Sequence, residues 1–320
     1  MFHFTVVKQK AVMKTKIKQI IIPIVTAAIW GSAFLAQGEL SKNFPAFFIN
    51  AARAGIAFFA LLVIILLRDK FGIMLKNKSE KVGESTPINK RKLIFGSLTC
   101  GVCLFIATNI QQFGIEGTLP SEAAFITTMY MIFVPIFSLF LGKKLGLNIW
   151  LAVVIAIVGL ALICKIEGFN IDIYYVYLLI SAVFFAVQIM LVDHYINHVD
   201  ALKLSCGQFL VCSVLSIILS VCTETVNWSI ISLAVLPLIY LGFFSSAIGY
   251  TLQIVSQRNG NPTVVTLILS LESVFALIFN IIVCLCMGQS IQETPLQFLG
   301  CALMLVAIFL SQIEFKRKKQ

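Results

Sequence analysis

Long apolar runs, separated by short polar breaks, recur from one end of the chain to the other. A helix needs about 20 mostly apolar residues to cross a bilayer. By that measure the pattern predicts ten helices, over residues 19–39, 45–67, 92–112, 119–141, 147–165, 173–193, 202–222, 232–256, 262–287 and 295–314. What lies outside them is a basic tail at 1–18, a basic tail at 315–320, short loops, and one polar stretch at 68–91 carrying Lys70, Lys76, Lys78, Lys81 and Lys90. That stretch reads as a solvated loop, and no catalytic soluble domain fits. The expected fold is an all-α integral membrane protein of ten transmembrane helices.

Composition agrees with the pattern. At 59% hydrophobic residues and a mean hydropathy of +0.99, the chain holds more apolar side chain than one soluble core can hide. The net charge of +10 raises nucleic acid as a partner, and its distribution removes it. With the N-terminus in the cytoplasm, 21 of the 24 Lys and Arg fall on the cytoplasmic side; Lys42 and Lys165 fall opposite and Arg53 lies inside a span. This is a positive-inside pattern, so both termini are expected in the cytoplasm. The KRKK run at 316–319 then serves as an anchor beside anionic lipid. The first span lacks a small-residue cleavage site and is expected to stay in the membrane, and Met13 is an alternative start.

All nine cysteines lie in or at the edges of spans and read as small apolar fillers. Cys100 and Cys103 form a C-x-x-C with no second pair, and His194 and His198 sit at helical spacing on a face where solvated polar groups belong. Neither pattern argues for a cofactor or a metal.

The chain divides near residue 168 into halves of five spans, 19–167 and 168–314, joined by weak internal likeness. Pro120 and Pro262 open the fourth span of each half, and Phe133 and Phe275 follow at equal distance. Tyr130 thereby matches Glu272, Arg53 matches Gln208, and Trp30 matches Phe185. Five spans is an odd number, so the second half must enter from the opposite side. A 5+5 inverted repeat gives two near-equivalent packings with a site between the halves, the arrangement of alternating access.

Three segments carry a family resemblance: AIWGSAFLAQ at 28–37, QQFGIEGTLPSEAAFITTMYMIFVPIFSLFLGKK at 111–144, and SSAIGYTLQIVSQRNGNPTVVTLILSLESVFALIF at 245–279. In order and spacing they resemble the EamA-type carriers of the drug/metabolite transporter superfamily, in the ten-helix form, over residues 19–314. The resemblance implies a secondary carrier of small polar metabolites, often working outward, with amino acids among the cargoes, in a bacterial cytoplasmic membrane. Two departures stand out. Ser273 follows Glu272 where the family has Pro, which speaks against a kink in span nine because Ser keeps its N–H. Gly142-Lys143 and Gly288-Gln289 replace a Gly-Glu pair at two span ends.

Charge at bilayer depth costs about 2.5–3.5 kcal/mol on insertion scales, so each such residue needs a partner or a polar cavity. Glu272 lies near the middle of its span and is the leading candidate for a proton or substrate-amine site; the plainer reading is a structural carboxylic acid bonded to a neighbouring span. Arg53 either meets a substrate carboxylate or internal glutamate, or snorkels to the outer headgroups beside Lys42. Glu122 sits close enough to the interface to reach water. Tyr130, Tyr250, Gln253, Trp30, Gln188 and Gln208 are the neutral candidates for orienting a substrate. Gln37, Asn109, Gln112 and Thr127 are polar groups of the same kind, and most are expected to bond helix to helix.

The expected function is export of a small-molecule metabolite by a monomer or homodimer, with protons as candidate coupling ion. Efflux of lipophilic cations is the alternative, and Arg53 opposes it. No H-E-x-x-H, G-x-S-x-G or phosphate-binding loop supports a membrane-embedded enzyme, and a channel's pore usually comes from oligomeric symmetry.

Overall fold

The computed structural model describes the backbone of residues 2–75, 89–142, 145–163, 172–258, 260–288 and 295–312, and the side chains among them except those of 2–18, 71–75 and 312. The terminal residues 313–320 and the expected loop between 76 and 88 lie outside the described residues, as does Lys165. Every regular element among the described residues is helical.

The helices are α1 (Phe2–Ser41), α2 (Ala46–Leu75), α3 (Lys90–Ile115), α4 (Pro120–Thr127), α5 (Tyr130–Phe140), α6 (Leu147–Ile163), α7 (Ile173–Ile196), α8 (Ala201–Thr223), α9 (Ser232–Ile239), α10 (Thr251–Gln257), α11 (Pro262–Leu269), α12 (Glu272–Cys286) and α13 (Pro295–Gln312). Polar side chains mark their starts. Asn89, Asp172, Asp200 and Asn261 accept from first-turn N–H groups, and Pro120 and Pro262 stand where a missing N–H costs nothing.

Among the described residues, eight helical segments are long and apolar enough to cross a membrane: Gln19–Ser41, Ala46–Lys70, Lys90–Ile115, Pro120–Phe140, Ile173–Ile196, Ala201–Thr223, Ser232–Gln257 and Pro262–Cys286. Two further apolar helices, Leu147–Leu162 and Pro295–Ser311, are shorter. They pack against each other, while α3 packs on α7 and α8, α2 on α8, and α1 on α12.

The outside of the bundle is apolar and part of its inside is polar. Phe140 is 84% exposed and Val221 78%, whereas Arg53, Gln37, Asn50 and Glu272 are buried. A soluble protein sorts these groups the other way, so this surface faces lipid and the polar groups satisfy one another within the bundle.

Three expectations need correction. The expected loop begins later than residue 68, because α2 runs on to Leu75; extending a formed helix needs no new nucleus, and Arg68 and Asp69 at that end pair with Asp200 and Lys203 of α8. Span four and span nine are each two helices rather than one. Span eight is wound as a π-helix over Tyr240–Tyr250, between α9 and α10.

Candidate functional site

The two broken spans fail at equivalent places. Span four stops after Thr127 and resumes at Tyr130; span nine stops after Leu269 and resumes at Glu272. At each break a hydroxyl folds back on its own helix, Thr128 Oγ1 donating to Phe125 O at 2.6 Å and Ser270 Oγ to Leu267 O at 2.7 Å. The main chain tightens beside it into i−3 bonds: Met129 N to Ile126 O and Leu271 N to Ile268 O, both 3.1 Å. Such back-bonding bends helices. Ser273 in place of Pro put a kink in span nine in doubt; the helix is nonetheless interrupted, at Ser270 and Leu271, before Ser273 and without proline. The two breaks meet, with the hydroxyls of Thr128 and Ser273 at 3.3 Å.

Each break places its candidate residue first in the new helix. Tyr130 opens α5, Glu272 opens α12, and the Tyr130 hydroxyl donates to Glu272 Oε1 at 3.2 Å. Gly31 lets α1 come in close: a Cβ there would stand 2.6 Å from Glu272 O and from Phe275 Cβ.

Arg53 does not snorkel. It is 5% exposed and donates through Nη1 to Gln37 Oε1 at 2.7 Å, through Nε to Ser246 Oγ at 3.1 Å, and through Nη2 to Ser245 Oγ at 3.3 Å. Among the described residues no carboxylate pairs with it. Its serine partners come from the π-helical segment. Ser245 O also accepts from Trp30 Nε1 at 3.1 Å, and Gly249 leaves room for that indole. A π-helix is rare and concentrates at functional sites; here it turns two consecutive serines toward one guanidinium.

Arg53, Trp30, Tyr130, Gln188, Tyr250, Gln253 and Glu272 line one cavity together with Gln37, Gln111, Thr127, Phe185 and Ser245. Its volume of about 30 Å³ suits a water or two. Trp30 and Tyr250 pack with ring centroids 4.8 Å apart. Gln253 Nε2 donates to Gln188 Oε1 at 3.3 Å, and Gln188 Nε2 to Gln208 Oε1 at 3.1 Å. Gln208 thus stands behind Gln188 rather than on the wall.

The remaining polar candidates serve packing. Asn109 donates to Ser216 at 3.1 Å and Gln112 to Ser41 at 2.6 Å. Glu122 accepts from Leu119 N and from the Tyr175 hydroxyl, both at 3.2 Å, near the start of α4. Ser245, Ser246 and Gln111 were not singled out from the sequence. A serine doublet three residues before an interior Gly was the available signal, and serine is too ordinary in membrane helices to raise it.

The EamA-like transporter family matches the chain twice, over residues 17–165 and 172–313. An uncharacterized transporter of Archaeoglobus fulgidus is 29% identical over 214 residues; the match spans 66% of this chain and 66% of that relative. A protein of known crystal structure superposes with a TM-score of 0.70 over 92% of this chain and 96% of its own, at 16% identity, which speaks to the fold alone. With both halves matched and eight helices suited to a bilayer, the chain belongs to the EamA-like transporter family and is a multi-pass membrane transporter.

Proposed function

We propose that the chain is a secondary carrier of small polar metabolites, amino acids or related compounds, working outward by alternating access with protons coupled through Glu272. In this reading ten helices form two inverted halves, 19–167 and 168–314, with both termini in the cytoplasm of a bacterial cell. The observation that carries it is Arg53: a buried, permanent positive charge on a cavity wall, held by neutral groups alone and without a carboxylate partner among the described residues. Such a charge suits an anionic group that arrives and leaves, and it opposes a cargo of lipophilic cations.

Two further features support the reading. Tyr130 and Glu272, matched positions of the two halves, touch each other, as equivalent groups do at a two-fold axis. The second spans, α2 and α8, run antiparallel: Phe47 and Phe48 meet Glu224, Ala51 meets Ser213, Phe58 meets Cys206, and Asp69 meets Lys203.

Uptake of labelled amino acids into vesicles containing the purified protein, with and without an imposed pH gradient, tests it. Saturable, gradient-driven flux that Glu272→Gln abolishes is the expected result. Equal flux in both proteins removes Glu272 from coupling, and absence of flux for every amino acid removes that cargo.

A further inference from the structure

The cavity is chemically lopsided. The matched pairs differ in kind: Arg53 of the first half answers to neutral Gln208, and Tyr130, a donor, answers to Glu272, an acceptor. Donors gather on the first half. On the second half Gln253 stands on the cavity wall, 1% exposed, and its Oε1 has no hydrogen-bond partner in the described structure.

That oxygen's direction is set by a chain of amides. Gln253 donates to Gln188 and Gln188 donates to Gln208, while Gln208 Nε2 donates to nothing described. The three amide dipoles therefore point the same way, with the free acceptor on Gln253, a residue of the cavity wall, and the free donor on Gln208 behind it. Aligned hydrogen bonds polarise one another, which makes the Gln253 oxygen a stronger acceptor than an isolated amide. A buried acceptor without a partner carries its desolvation cost until something donates to it. Arg53, on the wall of the same cavity, has five N–H groups and uses three. Glu272 already holds the Tyr130 hydroxyl.

We propose that the cargo is a zwitterionic α-amino acid bound with its carboxylate on Arg53 and its ammonium group on the Gln253 amide oxygen. The inference rests on the carrier reading above and sharpens it: recognition of the amine falls to a neutral amide, and Glu272 stays with Tyr130 for the coupling proton. A neutral acceptor binds an ammonium without forming a permanent ion pair, so the cargo can leave. The present cavity is too small for an amino acid, so binding goes with a wider state of the same walls.

The test is binding to the purified full-length chain by titration calorimetry. Proteinogenic L-amino acids are screened first. The tightest binder is then compared with its N-acetyl derivative and with the amine that lacks its carboxylate. Each loss of a charged end should weaken binding roughly tenfold or more, the weight of one hydrogen bond to a charged group. Gln253→Met should weaken the parent amino acid by about the same factor and leave the N-acetyl compound within roughly twofold of its wild-type affinity. An equal loss for both compounds reduces Gln253 to packing and overturns the proposal. Wild-type protein that binds the N-acetyl compound as well as the parent overturns it too while leaving a carboxylate carrier standing, and that comparison needs no variant. If no amino acid binds, the proposal and the amino-acid cargo fall together.

Discussion

Arg53 shows how one residue can be affordable at depth without an ion-pair partner. Burying it costs about 2.5–3.5 kcal/mol on insertion scales, offset by three directed hydrogen bonds to Gln37, Ser245 and Ser246. A lysine carries the same charge but not the planar fork, so Arg53→Lys should fold, keep the cavity positive and still lose roughly tenfold or more of saturable uptake, the weight of lost charge-assisted bonds. Full activity in that variant would mean that charge alone matters. Gly31 is constrained differently: a Cβ would press on the backbone oxygen of Glu272, which cannot swing aside as a side-chain tip can. Gly31→Ala should cost about 1–3 kcal/mol through overpacking, read as a lower Tm in detergent. Arg53 and Glu272 were legible in the sequence because charge inside an apolar run is rare. Gln208 was legible only as the match of Arg53, and its place behind Gln188 depends on side-chain packing that spacing does not encode.

At the scale of elements, hydropathy located the apolar helices, eight of them long enough to span among the described residues and two shorter, and read their interiors poorly. A window of about 20 residues averages over hydrogen-bond register, so the breaks after Thr127 and Leu269 and the π-helix at Tyr240–Tyr250 left no trace in it. The breaks follow from hydroxyls, which makes them testable: replacing Thr128 by Val and Ser270 by Ala removes both back-bonds. The double variant should insert normally and lose transport, because Tyr130 and Glu272 are aimed by those turns. A second device joins the halves at one end of the bundle. Glu224, just past α8, accepts from Phe47 N and Phe48 N, both at 2.8 Å, at the start of α2, where a carboxylate meets the positive end of a helix. Glu116 is close to it, and partial desolvation, then the Glu224 charge, raise the Glu116 pKa above the ordinary glutamate value. A raised carboxyl binds its proton more tightly in the folded state, so stability should fall as pH climbs from the ordinary glutamate range through the raised value. Glu116→Gln should flatten that slope in a series of melting curves; an unchanged slope would assign it elsewhere.

The whole molecule ties α2 to α8 at both ends, and the two ties are matched. Asp69 stands as far beyond Arg53 as Glu224 stands beyond Gln208, and Lys203 as far before Gln208 as Phe48 before Arg53. Asp69 meets Lys203 at 3.4 Å, as Glu224 meets Phe48 N at 2.8 Å. The sequence offset made the repeat legible, but the contacts that exploit it are long-range and appear only in the folded chain. With both ties made, the cavity has a volume of only about 30 Å³. In the proposed alternating access each tie breaks in turn, and their chemistry differs. At the Asp69 end the ion pairs of Arg68 with Asp200 and of Asp69 with Lys203 are between about a quarter and a half exposed, so salt screens them: the Debye length falls from about 10 Å at 0.1 M to about 3 Å at 1 M. The Glu224 tie is part-buried and bonds to backbone N–H groups, which salt reaches less. Raising ionic strength should therefore open the Asp69 end selectively. Cys206, buried on α8 near that end beside Phe58 O, reports it in a chain whose other cysteines are replaced. Its alkylation should quicken several-fold between about 0.1 and 1 M salt. In the Arg68→Ala, Asp69→Asn double variant it should already be fast at low salt and respond little to more. A wild-type rate indifferent to salt would show that these ion pairs do not hold the end shut, and that the antiparallel contact of α2 with α8 closes the cavity by packing alone.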